Sequence, residues 1–348
     1  MQTPFAEQLH AFALLRDQLS TLTAENRNSD ITDAWNAMVE AQYHENHWFI
    51  PEYSHHALQA IVAMLNEDAL SRFAQKYERQ TRQNGQTIAV ISAGNIPMAA
   101  FHDLFMVLMS GNSYQGKLSR HDKLLLPFIT HLLTEIYPPF KTKIEYAEQL
   151  HHYDKVIATG SNNSARYFEY YFRNVPLLLR HNRHSAAVLL GRETEAELNA
   201  LCRDILLYFG MGCRSVSKIF IPKSFDFQQF IKSIIKNSTL LAQHHPYLNN
   251  LDYHKTLMLM NQTPFLDAGT LILTENSTLA SPVGVLHYSF YDRLADVEHS
   301  LREDAEQLQC IVSNCQNSGI STIPPGTAQQ PALCDFADGQ DSFLFAAN

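Results

Sequence analysis

One cysteine, Cys213, stands in "FGMGCRSVSKIFIP" (209–222), after Gly210 and Gly212 and before Arg214. A thiolate is a strong nucleophile, and nearby cations such as Arg214 and Lys218 favour it. The two glycines let a substrate and the backbone approach closely. The competing reading is an inert cysteine packed at the start of a strand. Asn95, in "ISAGNIP", follows a buried-strand pattern. Its carboxamide could donate to a developing oxyanion, or it could be an ordinary turn asparagine. Lys117 and Arg120, in "GKLSR", fall at a strand end, where open parallel sheets hold nucleotides; the alternative is two solvated cations. Gly160 and Ser161, in "ATGSNN", form a strand–glycine–helix junction whose N–H groups suit an anion. Seventeen histidines raise the question of metal. No H-E-x-x-H or Cys/His finger spacing appears, so no metal is expected.

These residues need a frame that alternates strand and helix. Residues 1–84 read as helical, with Trp35, Met38, Trp48, Leu58, Ile61, Val62 and Leu65 as core candidates. After the break "RQNGQ" come a strand at 87–92, a helix from about Met98 to Gly111, and a strand at 113–119. Asp122 is placed to cap a helix running to about Tyr137. Further strands are expected at 155–159, 176–180, 185–191, 215–222, 269–274, 284–290 and 310–314, with helices between most of them. That alternation argues for parallel, doubly wound sheets.

Composition narrows the function classes. The chain has 348 residues and a formal net charge of −9, with no basic block, which argues against nucleic acid. Charged residues are 18 %, low enough to suggest that a second copy covers part of the surface. Five cysteines without a C-x-x-C pair suit a reducing cytoplasm. The N-terminal stretch lacks the basic start and apolar core of a signal peptide, and no membrane span is expected.

In order along the chain, these motifs resemble the aldehyde dehydrogenase superfamily, and within it the acyl-CoA reductases of the bacterial bioluminescence type. The likeness covers about residues 85–290. "ISAGNIPMAAFHDLFMVLMSGNSYQGKLSRHDKLLLP" is similar to the P-W-N-F-P…G-N-x-x-x-x-K-P-S segment. "FGMGCRSVSKIFIP" is similar to G-Q-x-C-x-x-x-x-R-x-x-V. The resemblance implies an α/β, aldehyde-dehydrogenase-like fold of two doubly wound domains. The cofactor-binding domain would span 1–185 with its helical N-terminal segment, the catalytic domain 186–310, and a tail 311–348 would return to the first domain or meet a partner. It implies Cys213 as nucleophile and Asn95 as oxyanion donor. It also implies cofactor contacts from Lys117, Ser119, Arg120, Gly160 and Ser161.

Two departures refine the expectation. Oxidising members carry a Glu in E-L-G-G-K that activates the hydrolytic water; here Arg180 stands in its place. A guanidinium is no general base near neutral pH, so release of a carboxylic acid is not expected. Where a Glu often binds the ribose hydroxyls, this chain has Arg120, which suits a 2′-phosphate and favours NADPH over NADH. The implied reaction is NADPH-dependent reduction of a fatty acyl-CoA or acyl-protein thioester to an aldehyde, through S-acyl Cys213. His184 is a candidate for proton transfer. A homo-oligomer and an acyl-activating or acyl-transfer partner are also implied. The rival readings are an acid-forming aldehyde dehydrogenase, a cysteine acyltransferase without redox chemistry, and a non-catalytic nucleotide-binding scaffold.

Overall fold

Thr3 and Pro4 open the first helix. The Thr3 hydroxyl accepts from the Ala6 N–H, and proline at the first helical position lacks the N–H that would go unpaired there. The computed structural model describes residues 3–23, 29–81, 85–160, 162–315 and 319–348. The chain forms two units, Met1–Asn182 with Gln330–Asn348, and Arg183–Gln329.

The first unit begins with α1 (Pro4–Leu22), α2 (Asp30–Glu45), α3 (Pro51–Met64) and α4 (Glu67–Tyr77). It continues through β1 (Thr87–Ile91), α5 (Phe101–Met109), β2 (Ser113–Lys117), α6 (Leu125–Ile136), β3 (Ile144–Tyr146), β4 (Lys155–Thr159), α7 (Asn162–Tyr171) and β5 (Leu177–Arg180). The five strands are all parallel, in the order β3-β2-β1-β4-β5. The chain leaves β1 toward β2 and β3 on one side, then crosses to β4 and β5 on the other. The carboxyl ends of β1 and β4 therefore make a topological switch point, the place where such sheets take ligands. On one face, Ala89, Val156 and Ala158 pack with Phe168 of α7 and with Phe172 just after it. Helix α5 packs against β1 and β2, and almost all its side chains are buried. An aromatic cluster lies beyond it: Phe12 meets Phe105 at 4.6 Å, and Phe73 meets Phe105 at 5.0 Å. Of the expected helical core, Trp35, Leu58, Ile61 and Leu65 are buried, while Met38, Trp48 and Val62 are half-buried.

The second unit runs through β6 (His184–Val188), α8 (Glu195–Leu206), β7 (Val216–Pro222), α9 (Phe227–Asn237), α10 (Thr239–Ala242) and α11 (His245–Met260). It ends with β8 (Leu266–Asp267), β9 (Ile272–Glu275), β10 (Val285–Tyr291), α12 (Leu294–Glu303) and β11 (Leu308–Val312). The sheet order is β11-β6-β7-β10-β9-β8, and β8 is antiparallel to β9. Helix α8 starts with a full capping box between Thr194 and Glu197. Val297 and Leu301 of α12 pack on Ala186 and Val188 of β6, and Leu251 of α11 packs on Ile272 and Val285.

The final helix, α13 (Ser342–Ala347), belongs to the first unit and packs on α5. The Asn112 carboxamide donates to the Ala346 carbonyl at 2.8 Å, and Phe343 meets Tyr77 at 4.4 Å. No described helix is long and apolar enough to cross a membrane.

Two sequence expectations change here. Asp122 does not cap α6, which starts without a side-chain cap. Its Oδ2 instead accepts the Met98 N–H at 2.7 Å. Helix α5 starts at Phe101 rather than near Met98, because Met98 has a left-handed backbone (φ 55°) that no helix accommodates.

Candidate active site

The second unit builds the cysteine turn at the amino edge of its sheet. Helix α8 stops at Leu206, and Tyr208 (φ 53°), Phe209 (φ 56°) and Gly210 (φ 72°) then take left-handed conformations in succession. Each non-glycine residue there costs about 1–2 kcal/mol. Phe209 is held by packing: its ring stacks on His244 at 4.2 Å and lies 5.6 Å from Tyr247. The chain then closes a turn in which the Ser215 N–H donates to the Gly212 carbonyl at 2.9 Å. The Gly212 N–H donates to the Ser215 Oγ at 3.2 Å. Cys213 lies in this turn, half-buried, just before β7. Cys202 shows the opposite environment: it is fully buried, and burial pushes its thiol up to about 12. The setting of Cys213 is thus less enclosed than that of Cys202.

Neighbouring strands hold the turn. Ser185, on β6, donates to the Cys213 carbonyl at 2.9 Å, and the Cys310 sulfur lies 3.1 Å from the same hydroxyl. The Arg214 Nε donates to the Ala328 carbonyl at 2.5 Å. His184, at the start of β6, sits on the same edge, and burial lowers its pKa below the ordinary 6.5. Its imidazole is therefore neutral at pH 7 and suited to passing a proton. The sequence raised Cys213 and His184 on this edge, but not Ser185, Cys310 or the 326–329 segment.

The first unit gathers the other sequence candidates at the carboxyl edge of its sheet. Asn95 is exposed in a bend after β1. Lys117, exposed, ends β2, and its carbonyl accepts the Ser92 N–H at 3.1 Å. The Ser119 hydroxyl accepts the His121 N–H at 3.2 Å, and the exposed Arg120 reaches the His121 ring through Nε at 3.1 Å. Gly160 follows β4, and its N–H donates to the Arg180 carbonyl at 3.4 Å. Ser161 lies outside the described residues. Asn95, Lys117, Ser119, Arg120 and Gly160 thus share one edge of one unit, at and beside the switch point, whereas Cys213 belongs to the other unit.

Close backbone approach shapes that edge. A Cβ on Gly94 would stand 2.0 Å from the Ser119 Oγ and 2.4 Å from its Cβ. Gly94→Ala should therefore cost about 1–3 kcal/mol of stability by overpacking. Adding Ser119→Gly should return most of it, because truncation to alanine alone would leave the offending Cβ. Urea unfolding of the single and double variants checks this, and a neutral Gly94→Ala would contradict the packing.

Arg180 has a structural partner. At the end of β5 it is only 5 % exposed, and its guanidinium makes paired bonds to the Asp103 carboxylate on α5, at 2.6 and 2.7 Å. This bidentate geometry is the strong form of the arginine–carboxylate pair. The Asp122 carboxyl, also buried, is pushed up to about 7 by burial, against the pull of the Met98 N–H. Among the described residues, no three His, Cys, Asp or Glu side chains are grouped to hold a metal ion.

No family model matches the chain, and no curated protein matches its sequence. Solved structures do match its fold. Aldehyde dehydrogenase 21 from Physcomitrella patens, in complex with the reaction product succinate, aligns with a TM-score of 0.65 at 7 % identity, over 90 % of this chain and 74 % of that one. A 3,6-anhydro-L-galactose dehydrogenase in complex with NAP gives 0.62 at 13 % identity, over 89 % of this chain and 75 % of that one. A Mycobacterium tuberculosis aldehyde dehydrogenase complexed with NAD+ gives 0.59 at 13 % identity, over 85 % and 70 %. The α/β architecture of one parallel and one mixed sheet is the aldehyde dehydrogenase fold.

Proposed function

We propose that this chain, built on the aldehyde dehydrogenase fold, is an NADPH-dependent reductase of acyl thioesters, fatty acyl-CoA foremost. The observation that carries the reading is the Cys213 turn. A half-buried cysteine is presented at a sheet edge by a backbone that takes consecutive left-handed residues to do so. Structures with the same fold include complexes with NAD+ and NAP, which supports a nicotinamide cofactor. The carboxyl edge of the first sheet fits one. Gly94 and Gly160 leave no room for a Cβ, and Lys117 and Arg120 put two exposed cations beside the switch point. In this reading Lys117 and Ser119 hold the ribose, Arg120 the 2′-phosphate, and Gly160 and Ser161 the pyrophosphate.

The Cys213 thiolate attacks the thioester carbonyl. The Asn95 carboxamide and the Cys213 N–H stabilise the oxyanion, a contribution of about 3 kcal/mol for each well-placed donor. The bond to the CoA sulfur breaks, CoA leaves as its thiolate, and the acyl group stays on Cys213. A reduced nicotinamide held at the carboxyl edge of the first sheet would supply the hydride. The resulting thiohemiacetal oxyanion collapses to the aldehyde and returns the Cys213 thiolate; neutral His184 carries the proton first lost by the Cys213 thiol to the departed CoA sulfur. Arg180 supports the reductive direction: it holds Asp103 and offers no base for water.

The test is acylation itself. Radiolabelled acyl-CoA should label the protein, NADPH should discharge the label as aldehyde, and Cys213→Ala should take no label. Full labelling of Cys213→Ala would refute the assignment. Discharge only to an added acyl acceptor, with no aldehyde, would make the chain a transferase instead. The donor, CoA or protein-bound, is read from the same assay with both thioesters.

A further inference from the structure

A network of hydrogen bonds runs from the last turn of α8 to the cysteine turn through a segment distant in sequence. Asp204, 1 % exposed, accepts the Gly326 N–H through Oδ2 at 2.5 Å and the Ala328 N–H through Oδ1 at 3.0 Å. The Ala328 carbonyl accepts from the Arg214 Nε at 2.5 Å. The next residue, Gln329, donates through Nε2 to the Ser215 Oγ at 3.0 Å, and that hydroxyl accepts the Gly212 N–H at 3.2 Å. Segment 326–329 thus grips the turn on both sides of Cys213, through Arg214 and through Ser215 with Gly212. Gly326 fits only as glycine: its φ is +86°, and a Cβ would come within 3.0 Å of the Ala200 Cβ on α8. Both Asp204 oxygens are spent on this segment. Burial pushes the carboxyl up to about 6, while the two N–H bonds and then Arg203 and Arg214 draw it back. The geometry, with one backbone N–H on each oxygen, is that of an accepting carboxylate.

We infer that Asp204 is a positioning residue for Cys213: it fixes segment 326–329, and that segment fixes the turn carrying the thiol. This rests on the proposed role of Cys213 as the acylated nucleophile. Asp204 touches no reacting atom. It acts by limiting the orientations of the sulfur, so its loss should lower the rate of acylation and leave substrate binding alone.

The experiment compares Asp204→Asn with the unmodified full chain in two assays. Asparagine keeps the shape and one acceptor but sets an N–H₂ against one of the two backbone N–H groups. In acyl-CoA reduction, kcat should fall about tenfold or more with KM within about twofold. In iodoacetamide labelling read by peptide mass spectrometry, Cys213 should react about threefold faster or more, with Cys334 of the other unit as internal reference. A loosened turn exposes the thiol while misplacing it, so the two rates move in opposite directions. Parallel loss of both rates, with altered Cys334 labelling, is general unfolding and overturns the inference; so do unchanged rates. If Asp204→Asn does not fold, Gln329→Ala cuts the second grip alone and should give the same opposed changes in smaller measure. The labelling arm needs no acyl chemistry. A chain without reductase activity whose Cys213 labelling still accelerates in Asp204→Asn would sink the proposed function and keep the clamp.

Discussion

Arg180→Glu should unfold the first unit rather than give it a hydrolytic base. The sequence alone invites the substitution, since a glutamate there would restore the residue that acid-forming relatives use. The structure shows what the guanidinium does instead. It is paired at two points with Asp103, and both side chains are less than 10 % exposed. Removing one partner of a buried pair costs about 3–5 kcal/mol, because the other charge stays behind without water. Reversing the sign adds a second carboxylate beside the first. The expected loss is therefore about 5 kcal/mol or more, a large part of the stability of a typical domain. Thermal melts and soluble yield would show it. Replacing both residues, Arg180→Leu with Asp103→Leu, should recover most of the loss, because a buried pair is worth little more than a well-packed apolar pair. An Arg180→Glu protein that melts like the parent and converts acyl-CoA to free acid would overturn this account.

Asp122→Asn should stabilise the protein at pH 8 and leave it nearly unchanged at pH 4. Burial raises the Asp122 carboxyl from its ordinary 3.8 to about 7, and Oδ1 makes no hydrogen bond among the described residues. With a raised folded-state pKa, the native chain binds more protons than the unfolded one between those two values. Stability therefore falls as pH rises from about 4 to about 7, by up to about 4 kcal/mol for this group. Asparagine keeps an oxygen for the Met98 N–H but carries no charge to desolvate. A buried N–H₂ without a partner takes back part of the gain, so the net expectation is about 2 kcal/mol at pH 8. Urea unfolding at both pH values measures it. A gain of equal size at pH 4 and pH 8 would show that charge is not the cause. Because Met98 belongs to the loop that carries Asn95, the variant should also keep that loop intact.

The large features of this fold could be read from residue order. "TIAVIS" is a continuous apolar run between a polar break and a glycine turn, and it is β1. "FGMGCRSVSKIFIP" combines turn glycines with a β-branched run, and it is the turn and β7. Short or mixed segments were harder. The strand β3 is three residues, Ile144–Tyr146, with no apolar run to announce it. Asp122, a carboxylate just ahead of a helical pattern, has the form of a cap, and only tertiary structure shows that it faces a different loop. Asp204 gave no local signal, lying in a helix among Cys202, Ile205 and Leu206, and its partners are more than a hundred residues away. The Pro-Pro-Gly at 324–326 marks a turn, but not what it holds. In the sequence Arg180 is defined only by the residue it replaces, whereas in the structure it pairs with Asp103. Sequence spacing finds groups that act through local backbone, and misses those defined by a distant partner.

The first unit is discontinuous, and this sets an order for biosynthesis. Its hydrophobic interior includes Phe343, and its buried Asn112 and Lys155 side chains bond to the carbonyl of Ala346. A ribosome makes all of the second unit before it makes these residues. The part synthesised first is therefore completed last, with one side of α5 awaiting its cover while the intervening unit folds. Until then the nascent chain presents an incomplete apolar surface, the kind of surface that chaperones bind.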